Sequence, residues 1–236
     1  MNATRQYPLP FPHASHYGAG EFIAAASNAE ASAWLEHTAD WPQGRLALWG
    51  PPGCGKTHLL HLWQERQSAR LLAGPTLRFT PPGQPLAIDD ADAAPERELL
   101  HTLNAASEAG CAVLLAGREA PARWPVRLPD LASRLRAITA VQILPAEDEL
   151  LAALLRRLLR ERRLPVAEAI QQFLLLHLPR TPEAVREAVA RLDHAAWATR
   201  GPATRALAAE VLAGLAEPDD NLVSSSTACP QGPFLL

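Results

Sequence analysis

The feature that most constrains this chain is the run at residues 50–57, which reads GPPGCGKT. It matches the P-loop pattern G-x-x-x-x-G-K-[ST] at every fixed position. The run follows the short apolar stretch Arg45–Trp49, which predicts a buried strand, and it precedes a stretch to Gln67 that predicts a helix. In that context, glycines let consecutive backbone N–H groups face phosphate oxygens, and the helix directs its positive end at the same anion. The sequence therefore predicts a nucleotide-binding loop.

The loop residues supply different kinds of phosphate contact. The Lys56 ammonium would reach the β- and γ-phosphates, and the Thr57 hydroxyl would bind Mg²⁺. Lys56 is the only lysine in a chain with 22 Lys+Arg residues, so a compact ammonium is kept at the position where arginine would not serve. The predicted nucleotide contacts are Gly50, Pro51, Pro52, Gly53, Cys54, Gly55, Lys56, Thr57 and His58, with simple packing as the alternative role of the last residue.

Two consecutive carboxylates close a second apolar stretch. Asp89 and Asp90 follow residues 86–88, and about 30 residues separate them from the P-loop, which suits a crossover between parallel strands. We expect Asp89 to hold Mg²⁺, directly or through water, and Asp90 to orient or polarise an attacking water. The alternative is a pair of surface aspartates at the start of a loop.

Strand and helix patterns alternate through the first part of the chain. Short apolar runs predict strands at 45–49, 69–72, 86–88, 112–116 and 138–144, and helices are predicted at 22–37, 57–67 and 96–108. Such alternation is typical of a parallel, doubly wound α/β sheet. After Pro145 the pattern becomes all-helical, with stretches at 147–163, 166–178, 182–199 and 204–215.

This pattern divides the chain into four parts. We expect an extended arm at 1–20, a nucleotide-binding α/β domain at 21–145, a small all-helical domain at 146–216 and a disordered polar tail at 217–236.

Charge and cysteine content limit the environment and the partners. The formal net charge is −3, whereas a protein that binds duplex DNA unaided usually carries a positive excess, so we expect DNA contact only through partners. The three cysteines form no CxxC pair, which favours a reducing compartment. No apolar run reaches membrane-spanning length. We therefore expect a cytoplasmic protein with no membrane contact.

Several of these elements together resemble the AAA+ ATPase module of the bacterial replication initiator family DnaA. They are the loop GPPGCGKTH, the strand ending IDD, the stretch LPDLASRL and the helical lid, and residues 22–28 look like the segment with which that family cups adenine. The resemblance covers most of the chain between the arm and the tail. It implies a P-loop AAA+ parallel-sheet domain followed by a small all-helical lid domain, with ATP or ADP and Mg²⁺ as cofactors.

The resemblance also implies a role for Arg134. In the family, the matching arginine is a finger that enters a neighbouring molecule's nucleotide site, where it neutralises charge that develops on the γ-phosphate. An arginine paired with a carboxylate of its own surface is the alternative. The DNA-binding domain that follows the lid in DnaA has no counterpart in the printed sequence. The expected neighbour is then DnaA itself, and association with further copies of this chain stays open.

The peptide QYPLPF at 6–11 resembles the short motif by which proteins dock on the bacterial DNA polymerase sliding clamp (beta). Prolines pre-set an extended backbone, which lowers the entropy lost on binding. Gln6, Leu9, Pro10 and Phe11 are the expected clamp contacts. The alternative is a proline-rich arm that packs on its own domain.

Two positions depart from the family pattern. At the end of the third buried strand, Gly117 stands where the family usually has a small polar sensor residue, which argues against efficient hydrolysis at this chain's own site. In the lid, Glu183 aligns best with the arginine by which the family senses nucleotide, so an arginine from a neighbouring position would have to substitute. Arg180 and Arg186 are the candidates, and Arg180, at a helix start, is the one we prefer.

Three functions fit these observations. The first is a clamp-tethered regulator of replication initiation that stimulates hydrolysis of DnaA-bound ATP. The second is a self-sufficient AAA+ ATPase resembling helicase loaders, which the paired Asp89 and Asp90 favour. The third is a clamp adaptor that uses nucleotide only to stabilise its fold. A small-molecule P-loop kinase fits less well, because the sequence carries no signature for a phosphate acceptor.

Overall fold

The computed structural model describes residues 22–79, 81–199 and 201–216. The expected arm at 1–20, including the clamp-like peptide at 6–11, and the expected tail at 217–236 lie outside the described residues. The chain divides into two compact units, residues 1–147 and residues 148–236.

The first unit is built on a five-stranded parallel sheet. The strands are β1 (Arg45–Trp49), β2 (Arg70–Ala73), β3 (Leu86–Asp89), β4 (Val113–Gly117) and β5 (Thr139–Gln142), in the order β2-β3-β4-β1-β5. Both faces are covered, so the strands are apolar runs with little alternation. Because all strands run in one direction, the ends of β1 and β3 meet at the same edge of the sheet. The parallel α/β architecture predicted from the sequence is confirmed.

Four helices belong to this unit: α1 (Ala29–Glu36), α2 (Lys56–Gln67), α3 (Glu96–Glu108) and α4 (Pro129–Arg136). The helix predicted at 22–37 is too long, since regular α-helix begins only at Ala29 after a 3₁₀ turn at Ala26–Asn28. The Asn28 side chain accepts a hydrogen bond from the Ala25 N–H at 3.0 Å and donates one to the Ile23 carbonyl at 3.0 Å. These bonds hold a tight turn that the alanine-rich composition does not reveal.

Helix α4 is not predicted as a helix by the apolar pattern. It has only eight residues, begins with Pro129 and buries only Leu131 and Leu135. Proline at the first helical position is favourable, because that residue's N–H would have no partner within the helix. The last turn of this helix carries Arg134, the residue expected to act as a finger.

Two apolar clusters hold the sheet between its helices. On one face, α1 and α2 pack on the sheet, and Trp41 stacks on Trp63 with ring centroids 5.2 Å apart. On the other face, α3 and α4 bury a cluster that includes Leu99, Leu103 and Trp124. The core therefore fixes α2 and α4 on opposite faces of the same sheet.

The second unit consists of α5 (Asp148–Glu161), α6 (Glu168–His177), α7 (Pro182–Thr199) and α8 (Arg205–Ala216). Helix α5 packs on α6 and α7, and α8 packs on α6 and α7. The buried stripe of α5 is Leu151, Leu154, Leu155 and Leu159. Two ion pairs involve arginines on or just after this helix: Arg157 of α5 with Glu161 at 2.6 Å, and Arg162, which follows α5, with Asp193 at 3.1 Å. None of the helices described here combines the length and apolar character needed to cross a membrane.

Glu96 joins the start of α3 to the start of α4. Its carboxylate accepts the Arg127 N–H at 3.0 Å and the Leu128 N–H at 2.8 Å, just before α4 begins. Hydrogen bonds from Arg127 and then Leu128 lower the pKa of this carboxyl, because they stabilise its charged form. A lowered folded-state pKa means that stability is gained above the unfolded pKa and lost as pH falls through the folded value.

We therefore expect Glu96→Gln to remove an acid-sensitive part of the stability. The melting temperature of the variant should lie below that of the unchanged protein near pH 7, and the difference should shrink toward about pH 3. Thermal melts across this range measure it. Glu108→Gln, which replaces an exposed carboxylate at the end of the same helix, is the control, and its melting temperature should differ little from that of the unchanged protein at any pH. A Glu96→Gln curve that stays parallel to that of the unchanged protein would contradict the assignment.

Candidate nucleotide-binding site

The P-loop forms a concave turn between β1 and α2. Gly53 and Gly55 have φ values of 74° and 105°, in the left-handed region that residues with a Cβ rarely adopt. Within the described residues, no group accepts a hydrogen bond from the backbone N–H of Gly53, Gly55 or Thr57. Unpaired N–H groups at a loop and a helix start form a site for an anion, because they carry partial positive charge and need acceptors.

The Lys56 ammonium is held inside this loop. Its Nζ donates to the Gly50 carbonyl at 2.8 Å and to the Pro51 carbonyl at 2.9 Å, and the residue is only 8% exposed. These carbonyls orient the cation, and within the described residues no carboxylate pairs with it. The loop therefore keeps one full positive charge beside the unpaired N–H groups, which fits a phosphate chain.

Cys54 lies in the same loop with its thiol 3.7 Å from Lys56 Nζ. Burial raises the pKa of this thiol, and the nearby Lys56 charge opposes that rise only in part. The thiol is therefore held in its neutral form, which is the unreactive state of cysteine.

Thr57 and Asp89, the predicted magnesium ligands, lie in direct contact. Thr57 Oγ1 donates to Asp89 Oδ2 at 2.7 Å, and Asp89 Oδ1 accepts the Asp90 N–H at 3.0 Å. Mg²⁺ in nucleotide sites usually takes one or two protein oxygens together with phosphate oxygens and waters. A hydroxyl and a carboxylate beside an anion cradle fit that requirement.

Asp90, the predicted water-orienting residue, follows β3 with a φ of 47° and is exposed. This conformation is uncommon for residues other than glycine and is found often at functional sites. Within the described residues its carboxylate has no hydrogen bond or ion pair. The structure thus presents Asp90 at the edge of the sheet where the P-loop lies, and its role stays a prediction.

Gly74, which the sequence analysis did not single out, lies against Asp90. A Cβ on Gly74 would sit 2.0 Å from the Asp90 carbonyl oxygen and 2.9 Å from that of Asp89. Only a glycine after β2 lets the backbone approach the paired carboxylates this closely. The sequence offers no signal beyond a glycine that follows a strand.

Gly117 has its side-chain space filled by a tryptophan. A Cβ there would lie 2.8 Å from Trp124 Cζ2, and the Trp124 indole N–H donates to the Glu119 carbonyl at 2.8 Å. The position where the sequence resemblance leads us to expect a polar sensor is therefore packed by an indole ring, and a polar side chain could enter only if Trp124 moved.

The segment expected to cup adenine packs beside the P-loop helix. The Phe22 ring meets the His58 imidazole edge-on, with centroids 5.6 Å apart, and His58 is 7% exposed. The Glu147 carboxylate, also missed in the sequence, accepts the N–H groups of Ala26 at 2.9 Å and Ser27 at 3.2 Å. His58 thus packs against the segment at 22–28, and Glu147 fixes that segment's turn.

Arg134 lies at the other end of the sheet from the P-loop. Leu46 of β1 pairs with Thr139 of β5, so the last turn of α4, which comes just before β5, sits where the strands begin. The P-loop follows the opposite ends of these strands, roughly 15 Å away at about 3.3 Å per residue. Within the described residues, the half-exposed Arg134 side chain has no hydrogen bond or ion pair.

Arg180 belongs to the second unit. It is exposed at the start of α7, and its Nη2 donates to Asp148 Oδ2 at 3.3 Å. An exposed ion pair of this kind contributes about 0–1 kcal/mol, so it leaves the guanidinium available. Arg180 as the lid sensor stays a prediction, as does the half-buried Arg186.

We expect Gly74→Ala to lower the free energy of unfolding by about 1–3 kcal/mol, because the added methyl must displace the Asp90 backbone. The same displacement should weaken Mg²⁺-dependent nucleotide binding. Urea denaturation and titration with a fluorescent nucleotide measure the two effects. Gly83→Ala, where the added carbon meets nothing within 4 Å, is the matched control and should be neutral or slightly stabilising. Equal behaviour of the two variants would show that the close approach is unimportant.

Known structures share the fold of this chain, whereas sequence comparison assigns it to no family. No model of a protein family matches the chain. Domain III of DnaA from Thermotoga maritima is similar with a TM-score of 0.72 and 19% identity, over 88% of this chain and 100% of that one. AMPPCP-bound DnaA from Aquifex aeolicus is similar with a TM-score of 0.59 and 15% sequence identity, and the match covers 74% of this chain and 64% of that one.

A second kind of protein shares the architecture. The Holliday junction branch migration motor RuvB from Thermotoga maritima has a TM-score of 0.64 and 18% identity, over 88% of this chain and 74% of that one. The overall fold is thus common to all three. The chain has the fold of DnaA domain III and RuvB.

Proposed function

We propose that this chain is a DnaA-related regulator of replication initiation of the Hda type. In this proposal it binds an adenine nucleotide with Mg²⁺, docks on the sliding clamp through residues 6–11, and supplies Arg134 to the nucleotide site of DnaA. The nucleotide of DnaA is then hydrolysed faster, while this chain's own nucleotide serves mainly to hold the fold.

The unpaired N–H groups of the P-loop carry the nucleotide-binding part of the proposal. They lie beside the Lys56 ammonium and beside the Thr57–Asp89 contact of 2.7 Å, so an anion cradle, a fixed cation and two oxygen ligands meet at one edge. A bound Mg²⁺ would neutralise charge on the phosphates. AMPPCP, an ATP analogue, is bound by one of the similar DnaA structures, which supports adenine as the base.

Lys56→Ala should reduce affinity for both ADP and ATP by at least about tenfold, because it removes the one full charge in the cradle. Asp89→Asn should instead weaken the dependence of binding on Mg²⁺. Titration with a fluorescent adenine nucleotide, with and without Mg²⁺, measures both. Arg66→Ala, in the last turn of the same helix, is the control for loss of one exposed positive charge on α2. Unchanged nucleotide affinity of the Lys56→Ala variant would contradict nucleotide binding at the P-loop.

The position of Arg134 favours action on another molecule. Its side chain is half-exposed and unpaired within the described residues, and it lies at the end of the sheet opposite the P-loop. An arginine in that place is too far to serve the phosphates of its own loop. Gly117, covered by Trp124, also gives no polar sensor at the chain's own site. Both observations favour a chain that activates a partner over one that turns over ATP by itself.

DnaA is the partner that the sequence resemblance favours. The shared fold with DnaA domain III would let the two proteins associate as neighbouring AAA+ modules do, with a finger from one facing the nucleotide of the other. The clamp contact rests on sequence, since residues 6–11 lie outside the described residues. Leu9 and Phe11 would fill an apolar pocket, and Gln6 would hydrogen-bond at its edge.

The central test follows DnaA-bound ATP over time after DNA-loaded clamp and this protein are added. Arg134→Ala should abolish the stimulation, which for a finger supplied in trans can be about 10³-fold. Arg136→Ala, two residues along the same helix and exposed, should retain it. A Leu9→Ala/Phe11→Ala double variant should reach the same stimulation only at much higher protein concentrations, because it loses the clamp tether that raises the effective concentration near DnaA.

Other outcomes select the remaining functions. ATP turnover by this chain alone, without any effect on DnaA, would identify a self-sufficient ATPase that uses Asp89 and Asp90. Clamp binding with no effect of Arg134→Ala on DnaA-bound ATP would identify an adaptor. Either result would overturn the finger mechanism.

A further inference from the structure

We propose that Arg45 is a positioning residue for Arg134: a buried cation behind the finger that keeps the finger's guanidinium turned outward and unpaired. This inference rests on the proposed function, because it concerns how the finger is presented to the partner's γ-phosphate. Arg45 itself contacts no nucleotide and acts through Arg134.

Arg45 is the only arginine among the buried residues of the described chain. It is the first residue of β1 and is 3% exposed, and its Nη2 donates to the Leu103 carbonyl of α3 at 3.0 Å. No carboxylate within the described ranges forms an ion pair with it. Buried arginines are normally paired with a carboxylate, since an unpaired charge is costly in the interior. A buried neutral residue would cost less free energy at this strand position, so we infer that the charge has a role.

The neighbour of this cation is a second cation. Pairing of Leu46 with Thr139 places the start of β1 beside the start of β5, and Arg134 lies in the helical turn just before β5. Helix α3, which receives the Arg45 hydrogen bond, packs against α4. Burial, and then the charge of Arg134, lower the pKa of Arg45, yet an arginine stays protonated at neutral pH. Two positive charges thus lie near each other at this end of the sheet.

Repulsion between the two acts unequally, because only one of them can move. Arg45 is fixed by burial and by its bond to α3, whereas Arg134 is half-exposed and has no partner within the described residues. Conformations in which Arg134 folds back onto the sheet end bring it closer to Arg45 and are disfavoured. The finger is therefore pre-organised toward solvent, and less side-chain entropy is lost when a γ-phosphate arrives.

The arrangement also keeps the field around the finger positive. A buried charge is screened by salt much less than an exposed one, so Arg45 adds to the potential that an approaching polyphosphate meets. An arginine finger backed by a carboxylate would lose this advantage, because its charge would already be compensated.

The test measures hydrolysis of DnaA-bound ATP on the loaded clamp with Arg45→Met, Arg45→Lys and Arg134→Ala. Arg45→Met should lower the maximal stimulated rate by roughly tenfold and leave the half-saturating concentration unchanged, because the charge behind the finger is lost and the docking surface is kept. Arg45→Lys should restore most of the rate, since it keeps the charge. Arg70→Met, at the exposed first residue of the edge strand β2, is the matched control and should be fully active.

Thermal melts and nucleotide titration on the same preparations confirm that each variant is folded. Should Arg45→Met fail to fold, Arg45→Gln serves instead, because its amide keeps a hydrogen-bond donor near the Leu103 carbonyl. Full stimulation by a folded neutral variant, with Arg134→Ala inactive, would overturn the positioning role and leave the proposed function intact. Full stimulation by Arg134→Ala would overturn both. Equal loss in Arg45→Met and Arg45→Lys would identify a structural role and would also overturn the inference.

Discussion

The contact between Thr57 and Asp89 is the interaction on which the arrangement of the nucleotide site depends. It joins the start of α2 to the end of β3, although β4 lies between β3 and the strand that leads into the P-loop. For the two residues to meet, α2 must lean over the end of β4, and it packs on β3 and β4 accordingly. The parallel strand order thus brings side-chain oxygens that are 32 positions apart in the sequence to within 2.7 Å of each other.

Two glycines at the ends of strands are constrained by close neighbours in a way that local sequence does not reveal. Gly74 lets the chain after β2 approach the carbonyls of Asp89 and Asp90, and Gly117 lets the Trp124 ring cover the end of β4. Both glycines are required by neighbours that are distant along the chain. Motif spacing identifies the P-loop and the paired carboxylates, because the residues of each motif are consecutive in the sequence. It cannot find a glycine whose partner is the backbone of another strand.

The same distinction explains which secondary structure could be predicted. Strand β1 and helix α3 were predicted to the residue, because a buried parallel strand is one apolar run and α3 has strong helical periodicity. Helix α4 was missed because eight residues with two buried leucines give too short a period. The helix predicted over 22–28 does not form for another reason, because the Asn28 side chain hydrogen-bonds to nearby backbone and holds it in a turn.

The proposed function uses two opposite edges of the sheet, and their positions limit how this module can associate. The phosphate cradle follows the ends of the strands, and Arg134 and Arg45 lie where the strands begin. Contact that puts the finger of one module onto the cradle of another must therefore join unlike surfaces, which is a head-to-tail association. A symmetric face-to-face pair would bring like edges together and leave both fingers without a phosphate. Under the proposed function, pairing must therefore be one-directional, with a partner whose cradle is filled, and the like-charged Arg45 and Arg134 disfavour pairing of that edge with itself.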